Sequence, residues 1–96
     1  MRNIRQQDID LIKSTSLFDG DWYSQYYKDV GKIGIDPAYH FLWIGNLMNR
    51  DPSLHFSTKE YARNYPDVAA AKVNCLVHYI RHGASEGRKI FPVTDV

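Results

Sequence analysis

An acid, an imidazole and a guanidinium recur at one fixed interval in this chain. Asp29, His40 and Arg50 are matched 38 residues later by Asp67, His78 and Arg88. These groups can hold a proton, exchange it near neutrality and stabilise an anion, so each trio could form an acid–base or ligand site. The same chemistry can also be turned inward. A His on an apolar helical face needs a hydrogen-bond partner, which the upstream Asp or a free backbone group at the turn could supply. An Arg can clamp a carboxylate, or the last carbonyls of a helix, in a bidentate way. Duplication favours the inward reading, because an active site usually converges once in a pocket rather than twice at a repeat interval. The expectation is a structural polar network made by all six residues, with no catalytic residue.

Metal chemistry has less support. His78 and His82 have the i, i+4 spacing that puts two imidazoles on one helix face, and His40 and His55 add ligand types. No Glu stands between the first pair as in H-E-x-x-H, only one Cys is present and no third ligand is indicated, so no metal and no cofactor are expected. Cys75 falls in the first turn of a predicted helix, where the dipole favours a thiolate. Neither a base nor an oxyanion-stabilising arrangement is located for it, and small buried packing is its default role.

Aromatic area gathers in the first half, at Trp22, Tyr23, Tyr26, Tyr27, Tyr39 and Trp43. Two helices per unit must bury most of these rings, which leaves Trp22, Tyr26 and Trp43 as exposed candidates for stacking on a sugar face or anchoring a protein. Arg63 and Arg81 are candidates for polar contacts around them.

The elements that place these groups follow from the repeat. Setting Phe18 over Phe56 superposes, without a gap, Tyr23 on Tyr61, Tyr27 on Tyr65, Asp29-Val30 on Asp67-Val68, and Gly45 on Gly83. A period of 20–50 residues is the usual mark of a repeat architecture. Each copy reads as two short helices with a turn between them. In the second copy Ser57 and Glu60 have capping-box spacing, and Pro66 ends that helix near Asn64 and opens a further helical turn over Pro66–Lys72. Asn74 caps the next helix, which Gly83 is expected to end in a left-handed conformation. In the first copy Asp19 or Asp21 opens a helix, Asp36–Pro37 starts another, and Gly45 is its expected stop. Ahead of both, Ile4, Ile9, Leu11 and Ile12 form an imperfect helical stripe. No sustained alternation supports a sheet, so the fold class is all-α: a single domain over 1–96, with an N-terminal helix in 1–16, copies at 17–54 and 55–92, and a tail at 93–96. Two-helix units need neighbours, so the N-terminal helix should cover one end, and a second copy of the chain, as a homodimer, the other.

Composition limits the partners. The chain has 96 residues, 44% hydrophobic and 24% charged, which suits one small soluble domain. Twelve Lys+Arg against eleven Asp+Glu give a net charge of +1, which disfavours nucleic acid. No apolar run approaches the roughly 20 residues of a membrane span, and the opening Met1–Gln7 lacks the apolar stretch of a secretory signal, so a cytoplasmic setting is expected.

The stretch Tyr65-Pro66-Asp67-Val68-Ala69-Ala70-Ala71-Lys72-Val73-Asn74-Cys75-Leu76-Val77-His78-Tyr79, continuing to Gly83 and Glu86-Gly87-Arg88, resembles a bacterial repeat of the form Y-P-D-V-A-x-A-G-x-(D/N)-P-L-x-H-Y-x-x-x-G-x-x-E-G-R. That repeat occurs in tandem beside glycosyltransferase domains of surface-polysaccharide synthesis proteins, including those related to rhamnan synthesis. The resemblance covers Leu17–Pro92. Lys72 departs from its Gly and Cys75 from its Pro; in the first copy Lys28 replaces the Pro, and Met48-Asn49 replace Glu-Gly before Arg50. It implies a non-catalytic module associated with cell-envelope glycan machinery, whose partner would be a protein such as a glycosyltransferase. A transferase site would need a larger α/β domain and a phosphate-binding Gly-rich loop, which is missing here. Two further readings stay open: a carbohydrate-binding module using exposed aromatics, and an accessory enzyme using the repeated Asp, His and Arg groups.

Overall fold

The computed structural model describes residues 4–94, and these are all-α: seven α-helices with π and 3-10 continuations, and no strand among the described residues beyond an isolated bridge between Ser53 and Phe56. The predicted N-terminal helix is α1 (Gln6–Lys13); positions 1–3 of that prediction, and 95–96 of the tail, lie outside the described residues. The first set of elements is α2 (Gly20–Tyr26), α3 (Lys28–Ile33) and α4 (Pro37–His40). The second is α5 (Thr58–Asn64), α6 (Pro66–Ala71) and α7 (Cys75–His78).

Corresponding residues start and stop corresponding helices. The side chain of Asp19 accepts a hydrogen bond from the Trp22 amide at the start of α2, and that of Ser57 accepts from the Glu60 amide at the start of α5. Tyr27 and Tyr65 leave the helical region and break the path between α2 and α3 and between α5 and α6. Pro66 accounts for the second break, since its ring disfavours helical geometry in Tyr65; Lys28 makes the same break without a proline. Each set thus contains three helical segments rather than two, the expected further turn at Pro66 being a helix in its own right. Gly34 (φ 69°) ends α3 and Lys72 (φ 58°) ends α6, both left-handed. Asp36 and Asn74 then cap α4 and α7.

The expected left-handed stops at Gly45 and Gly83 are not found. After His40 and His78 the helices widen into π turns, Phe41–Gly45 and Tyr79–Gly83, and both glycines keep right-handed helical backbone near them. The left-handed residues come later, at Asn49 (φ 58°) and Gly87 (φ 75°), after which Arg50 and Arg88 donate their amides to the Gly45 and Gly83 carbonyls at 2.9 Å.

One core runs through both sets, with Tyr23, Val30, Phe41, Phe56, Tyr61, Val68 and Leu76 all essentially inaccessible. Helix α1 adds Ile9 and Ile12 and lies against both α4 and α7. Two polar contacts pin it: Lys13 donates to Asp36 at 3.1 Å and Arg81 to Asp8 at 2.8 Å. It is therefore a strap over both sets.

Candidate functional site

The repeated polar residues sort into two matching constructions, each with two separate fastenings. Tyr23, inside α2, points its phenol at α4, where the hydroxyl lies 2.8 Å from Nδ1 of His40; Tyr61 and Nδ1 of His78 stand 2.9 Å apart. The partner of each His is therefore a tyrosine, and neither the upstream Asp nor a turn backbone group, as expected from sequence, takes that place.

The π turns make room for this bond. A Cβ on Gly45 would collide with the Tyr23 hydroxyl, and one on Gly83 with the Tyr61 hydroxyl. Glycine is needed there for close approach rather than for an unusual φ.

The second fastening joins the end of each set to its middle. Arg50 donates from both terminal nitrogens to the two Asp29 oxygens, each at 3.0 Å, and Arg88 does the same to Asp67 at 2.9 and 2.8 Å. Each guanidinium also lies over a tyrosine ring, Arg50 over Tyr27 at 4.6 Å and Arg88 over Tyr65 at 4.8 Å. The hydroxyls of those same tyrosines accept backbone amides, Asp51 to Tyr27 at 2.8 Å and Lys89 to Tyr65 at 2.7 Å.

The electrostatics follow from this burial and pairing. Burial, helped by the nearby Arg50 and Arg88 charges, holds His40 and His78 below the ordinary histidine value of 6.5. Burial also raises Tyr23 strongly and pushes Tyr61 up to about 12. The Arg hydrogen bonds hold Asp29 and Asp67 below the usual carboxylate range. A neutral imidazole bonded to a phenol that stays protonated is a poor acid–base pair at neutral pH.

The other sequence candidates are dispersed. Tyr26 is 51% exposed, but Trp22 stacks on it at 4.8 Å and 14° and is half-buried, as is Trp43 against Tyr39 and His40; neither Trp is the freely exposed ring expected. Arg63 pairs with Glu60 on its own helix and Arg81 with Asp8 of α1. Cys75 is buried, its Sγ 3.9 Å from the Thr58 carbonyl oxygen, and burial pushes its thiol up to about 11, outweighing the helix-start effect. His82 packs on His78, but no group of three or more His, Cys, Asp or Glu among the described residues could hold a metal ion. None of those residues forms a helix long and apolar enough to cross a membrane.

Sequence reasoning did not assign roles to Tyr23, Tyr27, Tyr61 and Tyr65, although all four lie in the repeated set; their shared interval was the signal. Compared with known proteins, the chain matches no protein-family model, no curated protein and no solved structure.

Proposed function

We propose that this chain is a non-catalytic helical module that works by presenting a shaped surface to another protein. The observation that carries this is that both Tyr–His pairs in the interior and both Asp–Arg pairs at the surface bond to one another within the chain. A groove of about 540 Å³ is lined by Lys13, Ser16, Phe18, Asp19, Gly20, Asp21, Asp36 and Pro37, and none of the six repeated polar residues opens onto it. Groups that bond to one another in this way are fasteners, and matching fastenings fix the shape of each set. The resemblance to tandem repeats beside glycosyltransferases supplies the proposed setting, cytoplasmic and associated with surface-polysaccharide synthesis, with a protein of that machinery as partner.

Replacing His40 and His78 by Gln tests the fastener reading. The expected result is a loss of about 1–3 kcal/mol of unfolding free energy per site, as for a buried hydrogen bond with one partner misplaced. Unchanged stability together with loss of a measurable activity would overturn it. The Trp22–Tyr26 stack favours a second reading, in which the exposed Tyr26 ring carries a sugar face. Oligosaccharide titration followed by Trp fluorescence and backbone NMR decides it: saturable shifts confined to the surroundings of Trp22 and Tyr26 favour glycan binding, and their absence excludes it for the sugars used.

A further inference from the structure

The contact between the two sets of helices is built from a turn and a face. The turn is Asn46–Asp51 of the first set, and the face belongs to the starts of α5 and α7. Thr58 donates its amide to Asp51 Oδ1 at 2.9 Å and its hydroxyl to the Arg50 carbonyl at 2.7 Å, while the Cys75 amide donates to Asn46 Oδ1 at 3.0 Å. Thr58 and Cys75 are buried there.

Both halves of such a junction recur uncovered elsewhere in the molecule. The residues of the first set that correspond to Thr58 and Cys75 are Gly20 and Pro37, and these line the open groove of about 540 Å³ together with Asp19, Asp21 and Asp36. The turn corresponding to Asn46–Asp51 is Ala84–Lys89, in which every residue except Arg88 is exposed.

The substitutions at these two places are complementary in charge. Lys89 stands where the internal junction has Asp51, and Asp21 where it has Lys59. The register that sets Asp51 against Thr58 would set Lys89 against Gly20, between Asp19 and Asp21. Glu86 does not oppose this, because its carboxylate is engaged by Arg88 at 2.9 Å. Gly20 lacks the hydroxyl of Thr58, Pro37 lacks the amide of Cys75, and Ala84 lacks the acceptor of Asn46. The hydrogen bonds of the internal contact are therefore replaced by charge attraction.

We propose that a second copy of this chain docks head to tail on the first, its Ala84–Lys89 turn seated in the groove formed by Asp19, Gly20, Asp21, Asp36 and Pro37. The contact joins two different surfaces, so each added chain presents a fresh turn and a fresh groove, and association does not stop at a dimer unless a ring closes. It is salt-sensitive, because screening shortens to about 3 Å near 1 M salt. This inference goes beyond the module reading by adding a second copy of the chain as a partner; a failure here leaves that reading to the His40 and His78 variants, whose unfolding is read at high salt, where the association is screened.

Sedimentation equilibrium of the full chain over a wide concentration range, at low and high salt, tests it with Asp21→Lys and Lys89→Asp. Circular dichroism first establishes that both variants fold. The wild-type mass should climb with concentration at low salt and fall back at high salt, and each variant alone should associate at least about tenfold more weakly. An equimolar mixture of the two variants should recover association. There the unaltered Lys89 of one variant meets the unaltered Asp21 of the other, and at the alternate contact the two substituted side chains meet with their charges exchanged. A wild-type mass fixed at one chain, association indifferent to both substitutions, or a mixture no heavier than its components would each overturn the proposal.

Discussion

Tyr23 grips His40 from the interior: its phenol is wholly inaccessible, its hydroxyl is 2.8 Å from Nδ1, and the imidazole is only 5% exposed. This single bond ties α2 to α4 across the core. Burial there, with the Arg50 charge nearby, disfavours a protonated ring and keeps the imidazole neutral. Tyr61 and His78 repeat the arrangement between α5 and α7, with His78 less deeply placed. The charge state of two histidines is thereby coupled to the packing of the whole chain.

Acid should loosen the fold in two stages. His40 faces Arg50 and Asp29, and His78 faces Arg88, Glu86, His82 and Asp67; both are held below 6.5, chiefly by burial. The unfolded chain takes up these protons at about pH 6.5 and the folded chain only at lower pH, so their stabilisation is complete above that value and lost as pH falls through the folded value. Asp29 and Asp67, held below 3.8 by their Arg partners, add a second loss as pH falls below about 4. Urea unfolding at about pH 7.5 and 5.5 should show the first decline, and His40→Gln with His78→Gln should flatten it. A wild-type stability constant across that interval would refute the coupling.

Gly45→Ala and Gly83→Ala should each cost about 2–3 kcal/mol, combining overpacking with a displaced buried hydrogen bond. In each case the added methyl meets a tyrosine hydroxyl and an aromatic ring carbon, Phe41 or Tyr79. Unfolding free energies give the cost, and the NMR shift of the facing His ring reports whether the phenol has left it. Substitutions tolerated within about 0.5 kcal/mol would mean that the π turns can relax.

Much of this was legible in the sequence, and the limit was geometric. Helix starts at Asp19, Asp36, Ser57 and Asn74 could be read because capping is local, one side chain against an amide two or three residues on. The role of Gly45 and Gly83 could not, because a close approach involves a tyrosine far along the chain, and a glycine near a helix end looks like a stop by local rules. The histidine partner was missed for the same reason: Tyr23 lies on an aromatic-rich helix where any ring reads as core. Arg50 and Arg88 could be matched to carboxylates by type and interval, but their stacking on Tyr27 and Tyr65 depends on how each chain end folds back.

Lys72→Gly should stabilise the protein by about 0.5–1 kcal/mol. Lys72 holds φ 58°, where a side chain costs about 1–2 kcal/mol, and Gly34 holds the matching place without that cost. Part of the gain is offset by the greater freedom of glycine in the unfolded chain. The converse, Gly34→Lys, should destabilise by a similar amount. Thermal unfolding of both variants checks the pair, and a destabilised Lys72→Gly would show that the lysine stem contributes packing that outweighs the backbone.

Arg50→Lys should cost more than Asp29→Asn, although the two residues share one ion pair. The Asp29 side chain is 59% exposed and water can replace the guanidinium, so its loss should change stability little. Arg50 is only 15% exposed and performs two tasks at once: it bonds both Asp29 oxygens and covers the Tyr27 ring. A lysine keeps the charge but lacks the planar fork and the stacking surface, so about 1–2 kcal/mol should be lost even though the net charge is unchanged. Combining the two substitutions should cost less than their sum, since the ion pair is removed only once. If Asp29→Asn proved the costlier change, the fastening would be electrostatic at its core and the stacked tyrosine incidental.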